Sequence, residues 1–492
     1  MREDLALLRE IPGGLPVGDD WVTDLPARTV HFPYDGSPVA DASVGDAALA
    51  ARAVGVAAGL RRDVAALTTG ARREVLAAVA GAIAGHRTGL IELLIAETGK
   101  PRADCETEVD RAWLTWSLAA EEPARLHGET VPVDLLPSGA GLVGYFTRRP
   151  AGVVVGIAGF NYPLLLAGHK IAPAIAAGCP VIVKPAPATP LATLWLVGAV
   201  RRALTAYGAP AGAVQVVTGG ADVGAALTTD PRVAVVSFTG SAAVGHAIAR
   251  AAAPRKVVLE LGSNSALVVC ADANLEAAAD AVIRGGYYAS GQACISVQRV
   301  LVEQAVAGEF TDLLASRMSD VVIGDPRDPA TRVSALIDAA STARVLSWVD
   351  EAAAAGARVL CGGDRAGTVI RPTLLTDVPG GIPAWDEEIF GPVVMLRAVS
   401  DVDAALAAVN ESRYGLHASV FTSSLATAHR AIDELDVGGV VINDVPGFRS
   451  DVMPYGGVKD SGIGREGPRW AVEEFTVTRM AIIRPEPEGR RV

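Results

Sequence analysis

The sequence predicts an α/β fold, with open, mainly parallel sheets covered on both faces by helices. Beyond residue 150, short apolar, β-branched runs alternate with alanine-rich segments of helical length, the arrangement a buried parallel sheet requires. The stretch 45–122 reads as helices alone, with Arg72, Arg73, Glu74, His86, Glu92 and Glu97 punctuating apolar positions at helical spacing. Between the two regions, Val131-Pro132-Val133, the turn Pro137-Ser138-Gly139 and Leu142-Val143-Gly144-Tyr145-Phe146 carry a hairpin signal.

The chain starts with an irregular, proline-rich segment. Thr68-Thr69 can cap one helix and Gly99 can end another. A strand at 153–157, a helix at 164–177 stopped by Gly178, and a strand at 181–184 come next. Thr189-Pro190 is expected to open the following helix, with threonine as cap and proline in the first turn. Strands at 214–217 and 233–238 each run into a glycine turn and a helix. The second half repeats the style, with strands at 257–261, 266–269, 297–302, 357–360, 393–396 and 480–483, and a helix at 275–284.

With 492 residues the chain is long enough for about three domains, and half of it is hydrophobic. The net charge is −12, and neither a run of five like charges nor a basic stripe interleaved with aromatics occurs, which argues against nucleic-acid or anionic-membrane partners. The uncharged stretch 151–168 has the length of a membrane span, but Gly152, Gly156, Gly159 and Asn161-Tyr162-Pro163 break it. A buried strand, a loop and a buried helix fit it better. The five cysteines, at 105, 179, 270, 294 and 361, form no C-x-x-C pair. An odd count without a framework suits a reducing, cytoplasmic setting, and Met1-Arg2-Glu3-Asp4 does not open a signal peptide. Walker A and H-E-x-x-H patterns are absent, and no metal site is expected.

Four constellations carry chemistry. Gly291-Gln292-Ala293-Cys294 is a small-residue loop between helix and strand, where oriented amides would favour a thiolate; the competing reading is a small buried hydrophobe. Glu260-Leu261-Gly262-Ser263-Asn264 puts a carboxylate at a strand's carboxyl end, where α/β sheets place their sites. It is placed to act as a general base, although a solvated glutamate also fits. Asn161, in Phe160-Asn161-Tyr162-Pro163, comes after another strand and offers an amide to an oxyanion, or simply makes a turn. Thr239-Gly240-Ser241-Ala242-Ala243-Val244-Gly245 succeeds a strand and opens a helix, as a phosphate-binding turn does. The one formal G-x-G-x-x-G, Gly462 to Gly467, comes after the polar Lys459-Asp460-Ser461 and so lacks the strand that this motif requires.

Together with Lys184-Pro185, Glu388-Ile389-Phe390-Gly391-Pro392 and Pro454-Tyr455-Gly456-Gly457, these motifs resemble the aldehyde dehydrogenase superfamily in order, from about residue 30 to 485. The set Glu260 to Ser265 with Cys294-Ile295-Ser296-Val297-Gln298-Arg299 is similar to its lactaldehyde dehydrogenase-like and phosphonoaldehyde dehydrogenase-like branch. The resemblance implies NAD- or NADP-dependent oxidation of an aldehyde, with Cys294 as nucleophile, Asn161 and the Cys294 N–H as oxyanion donors, and Glu260 activating water. It further implies Lys170 near the site, Lys184 on the adenosine ribose, Gly240 and Ser241 at the pyrophosphate, and Glu388 with Phe390 at the nicotinamide ribose. Pro187 stands where NAD-preferring members carry a glutamate, which leaves NADP open. Arg111, Tyr162 and Arg449 fall in segments that line the family's substrate tunnel, and paired guanidinium groups would suit a small polar or anionic aldehyde. Pairing of either arginine with Asp110 or Asp451 is the competing reading. The implied architecture is an open parallel-sheet cofactor domain at 1–127 and 151–260, an α/β catalytic domain at 261–456, and a β bridging element at 128–150 and 473–492 that joins a homodimer or homotetramer. Alternatives on the same fold are a CoA-acylating semialdehyde dehydrogenase, a non-catalytic relative and an esterase.

Overall fold

The structure is a computed structural model and describes residues 5–485. The expected segments at 1–4 and 486–492 lie outside the described residues. The helical region comprises Ala47–Ala66, Thr69–Gly85, Arg87–Thr98 and Arg102–Glu121. The Thr68 hydroxyl accepts from the Ala71 N–H at 3.1 Å, and Gly99, left-handed at φ 69°, ends the third helix. The start is less irregular than its sequence implies. Leu15–Val17 pairs with Asp20–Val22, and Ala27–His31 with Pro38–Ser43. These ribbons are too short to display a period-two pattern.

Six strands make the first sheet, in the order Gly462–Ile463, Lys256–Glu260, Val233–Thr239, Val153–Ile157, Val181–Lys184 and Val214–Val216. All pairs are parallel except the first. The chain winds outward from Val153–Ile157 in one direction, then returns to its other side with Val233–Thr239. The switch point between these two strands is where such sheets bind ligands. Helix Pro163–Ala177 is buried at every position. Among the described residues, no single helix is long and apolar enough to cross a membrane.

The next helix, Leu191–Ala206, corrects one expectation. Thr189 does not cap it; its buried hydroxyl makes no hydrogen bond among the described residues. The N–H groups of Leu191 and Ala192 are taken by the Glu97 carboxylate at 2.8 and 3.0 Å. Burial lifts the Glu97 carboxyl to about 8 against those two hydrogen bonds. The cap comes from 94 residues away, so local sequence does not reveal it.

The second sheet runs Arg358–Cys361, Thr373–Thr376, Val393–Val399, Arg299–Glu303, Ala266–Val269, His417–Phe421 and Gly439–Ile442, parallel except at its first pair. Separate apolar clusters cover its two faces. A third, antiparallel sheet places Val143–Pro150 between Glu129–Val131 and Thr476–Ile483. After the second sheet the chain returns to the first. Gly462–Ile463 lies antiparallel on Lys256–Glu260, and helix Pro468–Glu474 packs on Pro163–Ala177. The formal G-x-G-x-x-G thus begins in a sheet-edge strand.

Candidate active site

The two large sheets meet with opposite ends. The first contributes residues at the carboxyl ends of its strands: Asn161 after Val153–Ile157, Gly240 and Ser241 after Val233–Thr239, and Glu260 closing Lys256–Glu260. The second contributes residues that lead into its strands: Cys294 before Arg299–Glu303, and Glu388 and Phe390 before Val393–Val399. Between them lies a cavity of about 810 Å³. These residues all line it, as do Arg111, Tyr162 and Arg449. Lys170 stands behind its wall, bonded to Thr239 and Glu466, and Lys184 is not among the lining residues.

Cys294 comes after an unusual turn. Ala289, Ser290 and Gly291 are all left-handed, at φ 48°, 56° and 74°. Only glycine fits the last position, because a Cβ there would lie 2.1 Å from the Gly391 carbonyl oxygen. The turn is tied from outside. The Ala289 N–H donates to Asp104 Oδ2 at 2.9 Å, Ser290 Oγ accepts from the Ser334 N–H at 2.9 Å, and Gln292 Oε1 accepts from the Ile337 N–H at 3.0 Å. Asn161 Nδ2 donates to the Gln292 carbonyl at 2.8 Å. That uses one of its two N–H groups and joins the Asn161 segment to the cysteine loop.

The thiol differs from expectation. Burial pushes Cys294 up to about 12, with Glu388 and Glu260 adding to the rise while Tyr455 and Arg449 oppose it. The loop therefore holds a neutral thiol at rest, because the desolvation of its closed surroundings outweighs the loop's geometry. Tyr455 Oη lies 3.4 Å from Cys294 Sγ. The Tyr455 ring is buried between the Arg449 guanidinium, 3.8 Å from its centroid, and the His417 ring.

Glu260 is 4% exposed, and neither of its oxygens has a hydrogen-bond partner among the described residues. Burial, and then the neighbouring Glu466, hold its carboxyl well above the usual carboxylate range. Gly456 permits this packing, since a Cβ there would stand 2.9 Å from Glu260 Oε1.

Beside it is a buried network of charges. Lys170 Nζ donates to Thr239 Oγ1 at 2.7 Å and to Glu466 Oε1 at 2.9 Å. His169 Nδ1 is 3.3 Å from Glu466 Oε2, and its Nε2 is 3.5 Å from Asp451 Oδ1. Although burial works against it, Lys170, His169 and Arg449 hold the Glu466 carboxyl well below its ordinary range. Asp451 is held low by His169 and Arg111, again against burial. Arg111 donates to Asp451 through Nη2 at 2.9 Å and Nε at 3.3 Å, whereas Asp110 faces away and pairs with Arg87. Arg449 lies 3.7 Å from both Asp451 and Glu466, and its Nε has no hydrogen-bond acceptor among the described residues. The two arginines are therefore not equivalent. Arg111 is committed to an acid, and Arg449 keeps donor capacity.

The remaining residues form a cradle suited to a dinucleotide. Ser241 stands at the N-terminus of helix Ala242–Ala252 without capping it by its side chain, so the first N–H groups are left for a phosphate. Glu388 Oε1 accepts from the Ser263 N–H at 3.0 Å; burial raises its carboxyl to about 7 against that bond. Phe390, left-handed at φ 50°, sets its ring edge-on to Phe160 at 5.8 Å. Burial lowers the Lys184 pKa while the charge of Asp222 opposes it. An acid thus acts on Lys184 from the helix Ala221–Thr229 although Pro187 supplies none.

Residue-by-residue reading of the sequence missed Tyr455, Glu466, His169 and Asp104, and named Asp451 only as the competing partner of an arginine, the pairing that Arg111 in fact makes. Tyr455 stood in a recognised motif whose contact with Cys294 only folding creates. Glu466 lay inside the rejected glycine motif.

Residues 21–481 match the family described as the aldehyde dehydrogenase family. The chain is 38% identical over 471 residues to the 3-sulfolactaldehyde dehydrogenase of Priestia aryabhattai, covering 96% of this chain and 98% of that protein. It is also similar to a solved aldehyde dehydrogenase of Physcomitrella patens in complex with the reaction product succinate, with TM-score 0.92, 34% identity, and 96% and 98% of the two chains covered. A glyceraldehyde-3-phosphate dehydrogenase of Methanocaldococcus jannaschii complexed with NADP superposes with TM-score 0.89 at 32% identity, over 93% of this chain and 99% of that one.

Proposed function

Because the chain belongs to the aldehyde dehydrogenase family, we propose that it oxidises a small polar or anionic aldehyde to the carboxylic acid through a thioester on Cys294. The observation that carries this reading is the set of unspent polar groups around one cavity: a thiol, a carboxylate with neither oxygen bonded, and free amide donors.

Sγ of Cys294 bonds to the aldehyde carbon while the thiol proton passes to Glu260. Glu260 is fitted to this because burial makes it a stronger base than an exposed carboxylate. The resulting oxyanion is held by the second Nδ2 hydrogen of Asn161 and by the Cys294 N–H, which has no partner among the described residues. Each such donor contributes roughly 3–4 kcal/mol in comparable sites. NAD or NADP, when bound, supplies the hydride acceptor that turns this adduct into a thioester. Lys184, Gly240, Ser241, Glu388 and Phe390 are the residues fitted to hold it. Once the thiol proton has been released to solvent, Glu260 takes a proton from water as the water oxygen bonds to the acyl carbon, and gives that proton to Sγ as the C–S bond breaks, releasing the acid and restoring the thiol. Lys170, tied to Glu466 and Thr239, sits behind this chemistry as a fixed charge.

Arg449 is the residue that supports a polar or anionic substrate, with Tyr162 and Arg111 on the same wall. The name of the Priestia relative, a sulfonated hydroxyaldehyde's dehydrogenase, and the succinate in the Physcomitrella enzyme agree with that chemistry. We read the three-stranded sheet as the element that joins copies into a dimer or tetramer. Val143, Val477, Met480, Ile482 and Ile483 are exposed apolar residues on it. We propose the domain limits 1–127 with 151–260, and 261–456, as part of this reading. Five of the six strands of the first large sheet and all seven of the second fall within them, while Gly462–Ile463 joins the first sheet from outside. The five free thiols fit a cytoplasmic setting.

The test is formation of reduced nicotinamide from NAD+ and from NADP+ with matched neutral and anionic aldehydes, scored by kcat/KM. Preference for the anionic set, lost in Arg449→Ala, is the expected result. Turnover favouring neutral aldehydes would remove the substrate reading, and acyl-CoA as product would remove hydrolysis.

A further inference from the structure

Helix Arg102–Glu121 carries Asp104, Glu108, Arg111 and Thr115 at successive spacings of four, three and four, which places them on one face. Each reaches a different part of the site. Asp104 accepts from the Ala289 N–H in the turn before the nucleophile. Glu108 Oε1 accepts from the N–H groups of Leu164 and Leu165, at 2.9 and 3.2 Å, just past Asn161. Arg111 holds Asp451, and Thr115 Oγ1 lies 3.4 Å from His169 Nε2. Glu108 is itself paired with the buried Lys100, whose Nζ stands 3.7 Å from the Tyr162 ring centroid.

Ala289 and Ser290 carry side chains in left-handed backbone, a conformation that persists only where the surroundings over-determine it. Of the four outside ties on this loop, those from Ser334 and Ile337 come from backbone N–H groups of one segment, and a third is the Asn161 amide on the Gln292 carbonyl. Asp104 alone among the four accepts from a backbone N–H of the left-handed residues, and its side chain also reaches the cavity wall. Burial raises its carboxyl to about 6, opposed by the Ala289 N–H and then by Lys100 and Arg332.

We propose that Asp104 is a positioning residue for the nucleophile: its acceptor on the Ala289 N–H holds the left-handed turn that aims Cys294, and its helix face registers that turn against the Asn161 and Asp451 segments. This rests on the reading of Cys294 as the nucleophile. Removing the acceptor loosens the turn without touching the cofactor cradle, so the chemical step suffers and dinucleotide binding does not.

The experiment compares full-length wild type, Asp104→Ala and Asp104→Asn by three readouts. These are the rate of iodoacetamide labelling at Cys294 followed by peptide mass spectrometry, kcat with KM for the dinucleotide, and Tm. Asp104→Ala should slow both labelling and kcat on the order of 10- to 100-fold, the scale of a small misplacement of a reacting group, with KM for the dinucleotide unchanged. Asp104→Asn, whose amide oxygen still accepts from Ala289, should return both to within about threefold of wild type. Should the alanine variant not fold, Asp104→Leu against Asp104→Asn makes the same comparison at similar volume. Wild-type labelling and kcat without the acceptor would overturn the proposal, as would an asparagine variant that folds normally but does not recover. Turnover that survives Cys294→Ala would instead defeat the nucleophile reading, and the labelling comparison would still decide the role of Asp104 in the turn.

Discussion

The two sides of the cavity are both buried and both polar, yet their groups are used in opposite ways. Around Cys294, the Glu260 oxygens and Tyr288 Oη have no hydrogen-bond partner, and the Cys294 N–H is likewise free among the described residues. On the other side, Lys170 with Glu466 and Arg111 with Asp451 are paired, and His169 and Arg449 stand between the two acids. A buried polar group without a partner costs about 1–3 kcal/mol, so a native chain tolerates a group of them only where something else fills the capacity. The difference separates groups kept open for reacting atoms from groups whose charges mainly hold geometry, with Arg449 Nε and Glu466 Oε2 as the atoms of the second side that still lack a hydrogen-bond partner among the described residues. Two carboxylates show it directly. Burial and Glu466 drive Glu260 up, while surrounding cations overcome burial to drive Glu466 down.

The largest test of this contrast is Cys294→Ala. Loss of the nucleophile should reduce kcat by roughly 10⁴-fold or more, leaving Tm and dinucleotide binding near wild type by calorimetry. Activity within tenfold of wild type would place the chemistry elsewhere.

Glu260→Gln and Glu466→Gln should then separate in both rate and stability. Without Glu260, turnover should fall by roughly 10²–10⁴-fold. Glu466 has a folded pKa below its ordinary 4.5, so its stabilising contribution is complete above that value and disappears as pH falls through the folded pKa. Glu260 has a folded pKa above 4.5, so its charge costs stability as pH rises past 4.5. At pH 7 Glu466→Gln should therefore destabilise by about 3–5 kcal/mol, because Lys170 is left unpaired, whereas Glu260→Gln should match or exceed wild type. Both variants melting alike across pH 4–8, in thermal unfolding, would erase the contrast between the two acids.

The smallest effect is expected from Tyr455→Phe. Losing the hydroxyl at 3.4 Å from Sγ removes one of the two influences that keep the Cys294 thiol from rising further. At a fixed pH the rate of iodoacetamide labelling at Cys294 should fall by about tenfold, or roughly 1.4 kcal/mol, with kcat/KM down by a similar factor. An unchanged labelling rate would make Tyr455 a packing residue.

Much of this site is legible along the chain, and the missing part has a consistent character. Cys294, Glu260 and Asn161 each lie at or beside a strand end with turn residues next to them, so local pattern places them at the ends of the sheets. The two strands that flank the switch point, Val153–Ile157 and Val233–Thr239, are likewise continuous apolar runs that composition exposes. Tyr455, Asp451 and Glu466 lie in the segment that returns to the first sheet after the second is complete, and their partners Cys294, Arg111 and Lys170 are 161, 340 and 296 residues distant. The Glu97 cap takes the place of Thr189 on the Leu191–Ala206 helix for the same reason.

By itself the sequence determined the α/β class, the alternation of strands and helices, and which side chains are available for thiol and carboxylate chemistry, because hydrophobic period and turn residues act over a few positions. Only the tertiary structure decided which of those groups are charged and which are free. Burial raises the Cys294 thiol and the Glu260 carboxyl, Asp451 spends Arg111, and Lys170 holds Glu466 ionised. Protonation and pairing depend on desolvation and on the distance between charges, and neither quantity exists until distant segments pack.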